Sequence, residues 1–311
     1  DLNINTYLFE DQIFYWEWSA NNVYTSWSTL DKNIDTSERV PGAFLFYQIL
    51  MWLTGKNLFL ILLFQILLDS LSCIILLKAA KFIDQKNSFF VGLLAALSPL
   101  MIVLSSQILS DTLFFFFFSS SLYFFLKTFN YEFKIHNLCF CALFIGLATF
   151  TRIVTFPLIF IITIVIFIIF YYWNLKKIKI LLLSTTFLFA AISPLSIRLI
   201  SNIKNNNTFS LTSQSGAHFA YWVLPEILSS SEGISRKEAI DYFNKKLHLS
   251  GGLPTNKNLI EKENEKKIYN SYDDSKKLYS VSANIISDIN LFDIVYPWVR
   301  GFVFNFSSPT I

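Results

Sequence analysis

Two carboxylates and two guanidinium groups stand at places in this chain where charge is costly unless it is used. Asp11 lies in the stretch Phe9-Glu10-Asp11-Gln12-Ile13-Phe14-Tyr15, Arg39 in Glu38-Arg39-Val40-Pro41-Gly42, Asp111 at the start of a long apolar run, and Arg152 at the end of another. A forked guanidinium suits a phosphate, and a nearby carboxylate suits a proton acceptor. Gathered on one surface, these residues form an anion site with a base beside it; taken singly, each marks a helix end, with Asp111 meeting a helix dipole and the arginines snorkelling. Soluble-enzyme signatures are missing: the sequence has no Gly-rich phosphate loop, no His-Glu-x-x-His, no Cys-x-x-Cys and no Gly-x-Ser-x-Gly. The three histidines, His136, His218 and His248, are too scattered to suggest a metal site.

The elements that position these residues belong in lipid. Hydrophobic residues make up 53% of the 311, aromatic residues 18%, and the mean hydropathy is +0.47, which together do not describe a soluble surface. A net charge of +3 excludes a nucleic-acid binder and leaves charge to decide orientation. Cys73, Cys139 and Cys141 fall in apolar runs and are expected as free thiols.

A helix crossing the hydrocarbon needs about 20 mostly apolar residues. Six runs fit: 57–79, 88–105, 108–126, 138–151, 154–173 and 178–197, the fourth short unless it borrows neighbours. A seventh run, 41–54, reads as a juxtamembrane or half-inserted helix; the alternative is that all seven cross. Lys78, Lys81 and Lys86 follow the first span, Lys127 and Lys134 the third, and Lys176, Lys177 and Lys179 the fifth, which makes those loops cytoplasmic. Residues 1–56 then form a first extracytoplasmic loop, 57–198 a six-span bundle, 199–290 an extracytoplasmic loop domain, and 291–311 the start of a further membrane or interfacial helix. In the loop domain Ser235 and Glu238 have capping-box spacing ahead of Ile240, Phe243 and Leu247, Gly251-Gly252-Leu253-Pro254 signals a turn, and a second amphipathic stretch covers 259–289. Asp69 sits mid-span with Gln65 one turn earlier, and burial there calls for an inward face and a polar partner.

At these same residues the chain resembles the polytopic GT-C glycosyltransferases, in particular bacterial relatives of the dolichyl-phosphate-mannose protein mannosyltransferases and of the aminoarabinose transferases. The likeness is carried by Asp11 with Tyr15, Arg39-Val40-Pro41-Gly42, Gly55-Lys56-Asn57, Leu97-Ser98-Pro99, the stretch from Ser105 to Thr112, Gly146-Leu147-Ala148-Thr149-Phe150-Thr151-Arg152, Ser193-Pro194-Leu195-Ser196-Ile197-Arg198, and Ser213 to Gly216. Singly these motifs are weak, whereas their order and spacing are fairly specific. The resemblance implies an all-α polytopic membrane protein with a GT-C-like helical bundle, here a fragment lacking the first span and the C-terminal spans. It implies a sugar donor on a polyprenyl phosphate, a lipid, glycan or protein acceptor, no nucleic acid, and Asp11 as the catalytic acidic residue of the first outer loop.

Under that resemblance an acceptor hydroxyl or amine attacks the anomeric carbon in a single inverting displacement. Arg39 and Arg152 hold the leaving phosphate, Glu10, Tyr15 and Asp111 support, and Asp11 and Asp111 are the pair that could share a divalent metal ion. Glu10 adjoins Asp11 and competes for its role, Asp111 stands where many relatives have Glu, and Val40 replaces a common Pro. An AT-rich bacterial genome, inferred from heavy use of Phe, Ile, Asn and Lys, places the chain in an inner membrane with its site on the periplasmic side. A transporter or flippase for a lipid-linked or anionic solute, with Gln65 and Asp69 along its path, is the other reading, and a noncatalytic scaffold the third.

Overall fold

The structure is a computed structural model that describes residues 8, 11–21, 30–31, 34–35, 37–130, 133–251 and 271–307. Chain contacts divide it into two compact units, one of 1–36 with 40–205, the other of 37–39 with 206–311.

The first unit is helical apart from a two-residue antiparallel strand pair, β1 (Leu30–Asp31) and β2 (Ile34–Asp35). Two short helices come first, α1 (Asp11–Ala20) and α2 (Gly42–Thr54). Seven follow: α3 (Leu58–Ala80), α4 (Ser88–Ala96), α5 (Pro99–Ser105), α6 (Asp111–Asn130), α7 (Ile135–Thr151), α8 (Phe156–Tyr172) and α9 (Lys177–Ile192). The last element, α10 (Ser196–Asn206), continues α9 through a single 3-10 turn. Among the described residues, four stretches can cross a membrane by length and composition: Leu58–Ala80, Asp111–Asn130, Ile153–Tyr172 and Lys177–Asn206. The first, third and fourth of these carry Phe59, Leu67, Ile164 and Leu182, all more than half exposed, as lipid requires. The protein is an all-α polytopic membrane protein.

The remaining two runs depart from simple spans. The run 88–105 bends by 54° between α4 and α5, because Pro99 has no N–H to give the helix and holds Ser98 extended at ψ 113°. The fourth borrows three residues at its start and forms a 17-residue helix, Ile135–Thr151. The short run gives α2, whose 13 residues extend about 20 Å at 1.5 Å each, less than the roughly 30 Å hydrocarbon core. Gly55 and Lys56, both left-handed at φ 63°, end it, and Asn57 caps α3 by accepting from the Leu60 N–H.

Side-chain pairs fix the helix directions. Arg152 meets Asp111, the Ser121 hydroxyl donates to Cys141 O, and the Phe124 and Phe140 rings lie 5.1 Å apart, so α6 and α7 run antiparallel in constant register. Gln65 reaches Gln107, and Phe82 packs on Tyr123, so α3 and α6 run the same way. Phe129 packs on Phe170 and Trp173, which puts the end of α8 beside the end of α6. All three lysine-bearing loops therefore lie at one end of the bundle, and Asp111 with Arg152 at the other. Asp69 faces inward at 9% exposure, but its Oδ1 has no hydrogen-bond partner among the described residues; Gln65, one turn away, is engaged with Gln107 instead.

The second unit contains α11 (Gln214–His218), α12 (Leu224–Glu232), α13 (Arg236–Leu249), α14 (Ser271–Ile286) and α15 (Leu291–Ser307). Its core gathers Ala220, Leu224, Leu228, Ala239, Phe243, Leu247 and Leu278. Ser235 and Glu238 form the expected capping box at the start of α13, with Phe243 and Leu247 buried and Ile240 half-buried. Gly251 ends the described part of the turn; residues 252–270, which include the first part of the second amphipathic stretch, lie outside the described residues.

A glycine sets the spacing of α7 and α9: a Cβ at Gly146 would stand 2.2 Å from Ala191 O, a backbone atom that cannot swing aside. Gly146→Ala is expected to cost about 1–3 kcal/mol through overpacking. A thermal midpoint in detergent equal to that of the wild type would show that the two helices are not held this closely.

Candidate functional site

The end of the bundle opposite the lysine loops is built from four pieces of the first unit. Asp111 begins α6, where the positive end of the helix dipole favours a carboxylate, and Arg152 caps α7, where the negative end favours a cation. The Arg152 Nη1 donates to Asp111 Oδ1, so the two dipole effects and the ion pair act together. Arg152 is held by its own backbone as well, through N–H to Ala148 O at 2.8 Å. Behind it the Thr149 and Thr155 hydroxyls join at 2.9 Å across the turn into α8.

The pair itself is open. Its side chains are 43% and 27% exposed, and ion pairs so solvated contribute about 0–1 kcal/mol to stability. Folding energy alone therefore gives little reason for its position at these helix ends.

α2 lies across this end. Gly42 touches the end of α7 so closely that a Cβ there would stand 2.4 Å from Phe150 O, and Tyr47 Oη donates to Leu109 O at 2.6 Å, two residues before Asp111. α1 is laid on α2: Tyr15 stacks on Phe44 at 4.7 Å, the Ser19 hydroxyl donates to Phe44 O, and Leu8, Tyr15, Trp16, Phe44 and Tyr47 share one apolar core with Ile108. Asp11 is the first residue of α1 and is exposed, while its neighbour Gln12 turns inward and accepts from the Ile108 N–H at 3.4 Å.

The structure thus brings Asp11, Tyr15, Asp111 and Arg152 to one end of the first unit. Tyr15 is buried against Phe44 and acts in packing. Glu10 lies outside the described residues. Arg39 belongs to the second unit, where Ser37 O accepts from the Ser213 N–H and the Ser37 and Ser213 hydroxyls meet at 2.7 Å. There it lies close enough to His218 to disfavour the imidazolium. Among the described residues no three His, Cys, Asp or Glu side chains gather as a metal site, and the Asp111 carboxylate is already engaged by Arg152.

Sequence reasoning missed Gln12 and Tyr47. Gln12 had no pattern to betray it, and Tyr47 was one aromatic residue among many. Gly42 had a signal, since it sits in the Arg39-Val40-Pro41-Gly42 motif, but its reason, close approach to Phe150, needed coordinates.

A bundle of lipid-facing helices with a carboxylate and guanidinium pair at one end, beside two short aromatic helices, defines a polytopic membrane protein. A family model described as dolichyl-phosphate-mannose-protein mannosyltransferase matches residues 38–197, just over half of the chain, and the chain belongs to that family. It is accordingly a membrane glycosyltransferase of the GT-C type. Neither a curated protein nor a solved structure gives a significant match to the chain.

His218 provides a check on the second unit. Burial pushes its imidazole below the ordinary value, Arg39 pushes it further, and Glu38 partly opposes them. The folded state then binds a proton less readily than the unfolded chain, so stability falls as pH drops through about 6.5. His218→Gln should flatten this acid-side fall in thermal midpoint between pH 7.5 and 5; parallel profiles would show that His218 is not held as described.

Proposed function

We propose that this chain transfers a sugar from a polyprenyl-phosphate donor to a hydroxyl or amine on a lipid, glycan or protein acceptor, with inversion at the anomeric carbon. The single observation that supports this most is the half-exposed Asp111–Arg152 pair at the bundle end, with Asp11 opening the adjoining α1.

In this reading Asp11 accepts the acceptor's proton as the new bond to the anomeric carbon forms. The bond from that carbon to the donor phosphate oxygen breaks, and its electrons leave with polyprenyl phosphate. Arg152 stabilises that phosphate as negative charge collects on it, which is where preorganised donors matter most. Asp111 orients Arg152 by holding one of its guanidinium nitrogens. On sequence alone, Arg39 is a candidate phosphate-binding residue through its Arg39-Val40-Pro41-Gly42 motif, and Glu10, beside Asp11, a supporting acid.

A lipid-borne donor also accounts for a site at the membrane boundary: the polyprenyl tail stays in the bilayer while the sugar reaches the charged end. The lysine-rich end faces the cytoplasm by the positive-inside rule, which directs the site to the extracytoplasmic side of a bacterial inner membrane.

The test uses the full-length protein in nanodiscs with a radiolabelled polyprenyl-phosphate hexose and an acceptor fraction from membranes. Removal of a general base costs about 10²–10⁴-fold, so Asp11→Asn should lose transfer by about that factor while the thermal midpoint holds. Arg152→Gln should lose about 10²–10³-fold, as for one oxyanion donor. Wild-type turnover in Asp11→Asn would remove Asp11 from the chemistry, and movement of the donor across the bilayer without covalent transfer would favour a flippase.

A further inference from the structure

We propose that Tyr47, with Gln12 and Gln65, is a positioning residue of the transferase, acting through the turn 107–109 to place Asp111 and, through it, Arg152. This rests on the reading of that pair as the donor-phosphate contact.

Between α5, which ends at Ser105, and α6, which begins at Asp111, the chain has no helix to absorb its peptide groups, yet Ile108 is fully buried and Ser110 only 4% exposed. Three successive residues of this turn each take one hydrogen bond from a different helix. The Gln65 amide of α3 donates to Gln107 O at 2.8 Å, the Ile108 N–H donates to the Gln12 Oε1 of α1 at 3.4 Å, and the Tyr47 hydroxyl of α2 donates to Leu109 O at 2.6 Å. Satisfying buried peptide groups needs partners, but partners from three separate helices also fix the turn in three directions.

The Tyr47 bond is the shortest of these links, and its acceptor, Leu109, is the nearest of the three turn residues to Asp111 in sequence. The Tyr47 side chain is 1% exposed, and burial holds the hydroxyl well above its ordinary pKa, with Tyr15 and the Asp111 carboxylate adding to the effect. The hydroxyl therefore keeps its proton and remains a donor. Because Asp111 follows Leu109 by two residues and opens α6 directly, a shift of the turn moves the carboxylate that orients Arg152. A displacement on the order of 1 Å can cost a reaction about 100-fold.

The test is a double-mutant cycle on the full-length protein in nanodiscs, comparing Tyr47→Phe, Asp111→Asn and both together for kcat and for the KM of a polyprenyl-phosphate hexose. Tyr47→Phe keeps the ring and its contacts with the Tyr15 and Phe46 rings and removes only the hydroxyl. A positioning role predicts that kcat falls about tenfold with donor KM within about twofold, and that the same change has no further effect in the Asp111→Asn background, since residues acting as one unit are not additive. Gln65→Met, which removes a different bond of the same turn, should behave likewise and serves where Tyr47→Phe does not fold. Unchanged kcat in both single variants, or the same fractional loss with and without Asp111, would overturn the proposal. If Asp111→Asn itself leaves turnover at the wild-type level, the reading of the charged pair falls first, and the result is distinct from failure of the brace alone.

Discussion

Peptide groups that leave a helix at the level of the membrane must find partners within the protein, because lipid offers none. The working end of this bundle is organised by that requirement. Three breaks in the helices meet there: the turn from α5 to α6, the turn from α7 to α8, and the left-handed pair Gly55 and Lys56 between α2 and α3. The first is bonded by side chains from α1, α2 and α3, the second is closed by Thr149 and Thr155, and the third by Asn57. The same helix ends that need this repair carry the dipole charges that suit Asp111 and Arg152. Structural need and chemical opportunity thus coincide in one place.

Close backbone contact is the second condition. Gly42 lets α2 cross directly over the end of α7, and Gly146 lets α9 lie against the same helix a turn deeper. With both glycines on α7 contacts, that helix becomes the fixed reference of the unit: α6 pairs with it along its length, α9 packs on its other side, and Arg152 ends it. A guanidinium on such a helix is placed by backbone geometry more than by its own ion pair, whose contribution to stability is small.

Much of this was legible in the sequence, and the reasons differ by element. Apolar runs of the right length and the lysines after alternate spans are consequences of the bilayer itself, so they appear in composition without any knowledge of packing. The capping box of Ser235 and Glu238 is local, and local rules suffice for it. The bend at Ser98 and Pro99 was also local, and a proline in an apolar run could have announced it. The extension of the last span was hidden for the opposite reason: residues 198–206 are rich in Asn and carry Lys204, yet they continue the helix begun at Lys177. Asp111 and Arg152 were visible as charged helix ends, whereas their mutual contact depends on the antiparallel register of α6 and α7, which is a tertiary fact. Tyr47, Gln12 and Gln65 bond to backbone atoms, and a backbone acceptor leaves no trace in residue type.

The exposure of the charged groups completes the physical picture. A pair that served folding alone would do best buried and fully hydrogen-bonded, at the cost of desolvating both ions. Here the guanidinium and the carboxylate keep much of their water, Asp11 is exposed, and it is the neighbouring neutral groups, Tyr47 and Gln12, that are buried. That division keeps the desolvation cost low in the resting protein; in the proposed transferase it would be deferred to the moment a substrate covers the ions. In the proposed transferase, coulombic attraction between Arg152 and the donor phosphate would strengthen as water leaves, while the buried neutral groups beneath it would need no rearrangement. A rigid uncharged foundation under solvated charges is what an enzyme needs if its binding energy is to be released against the transition state and not against its own fold.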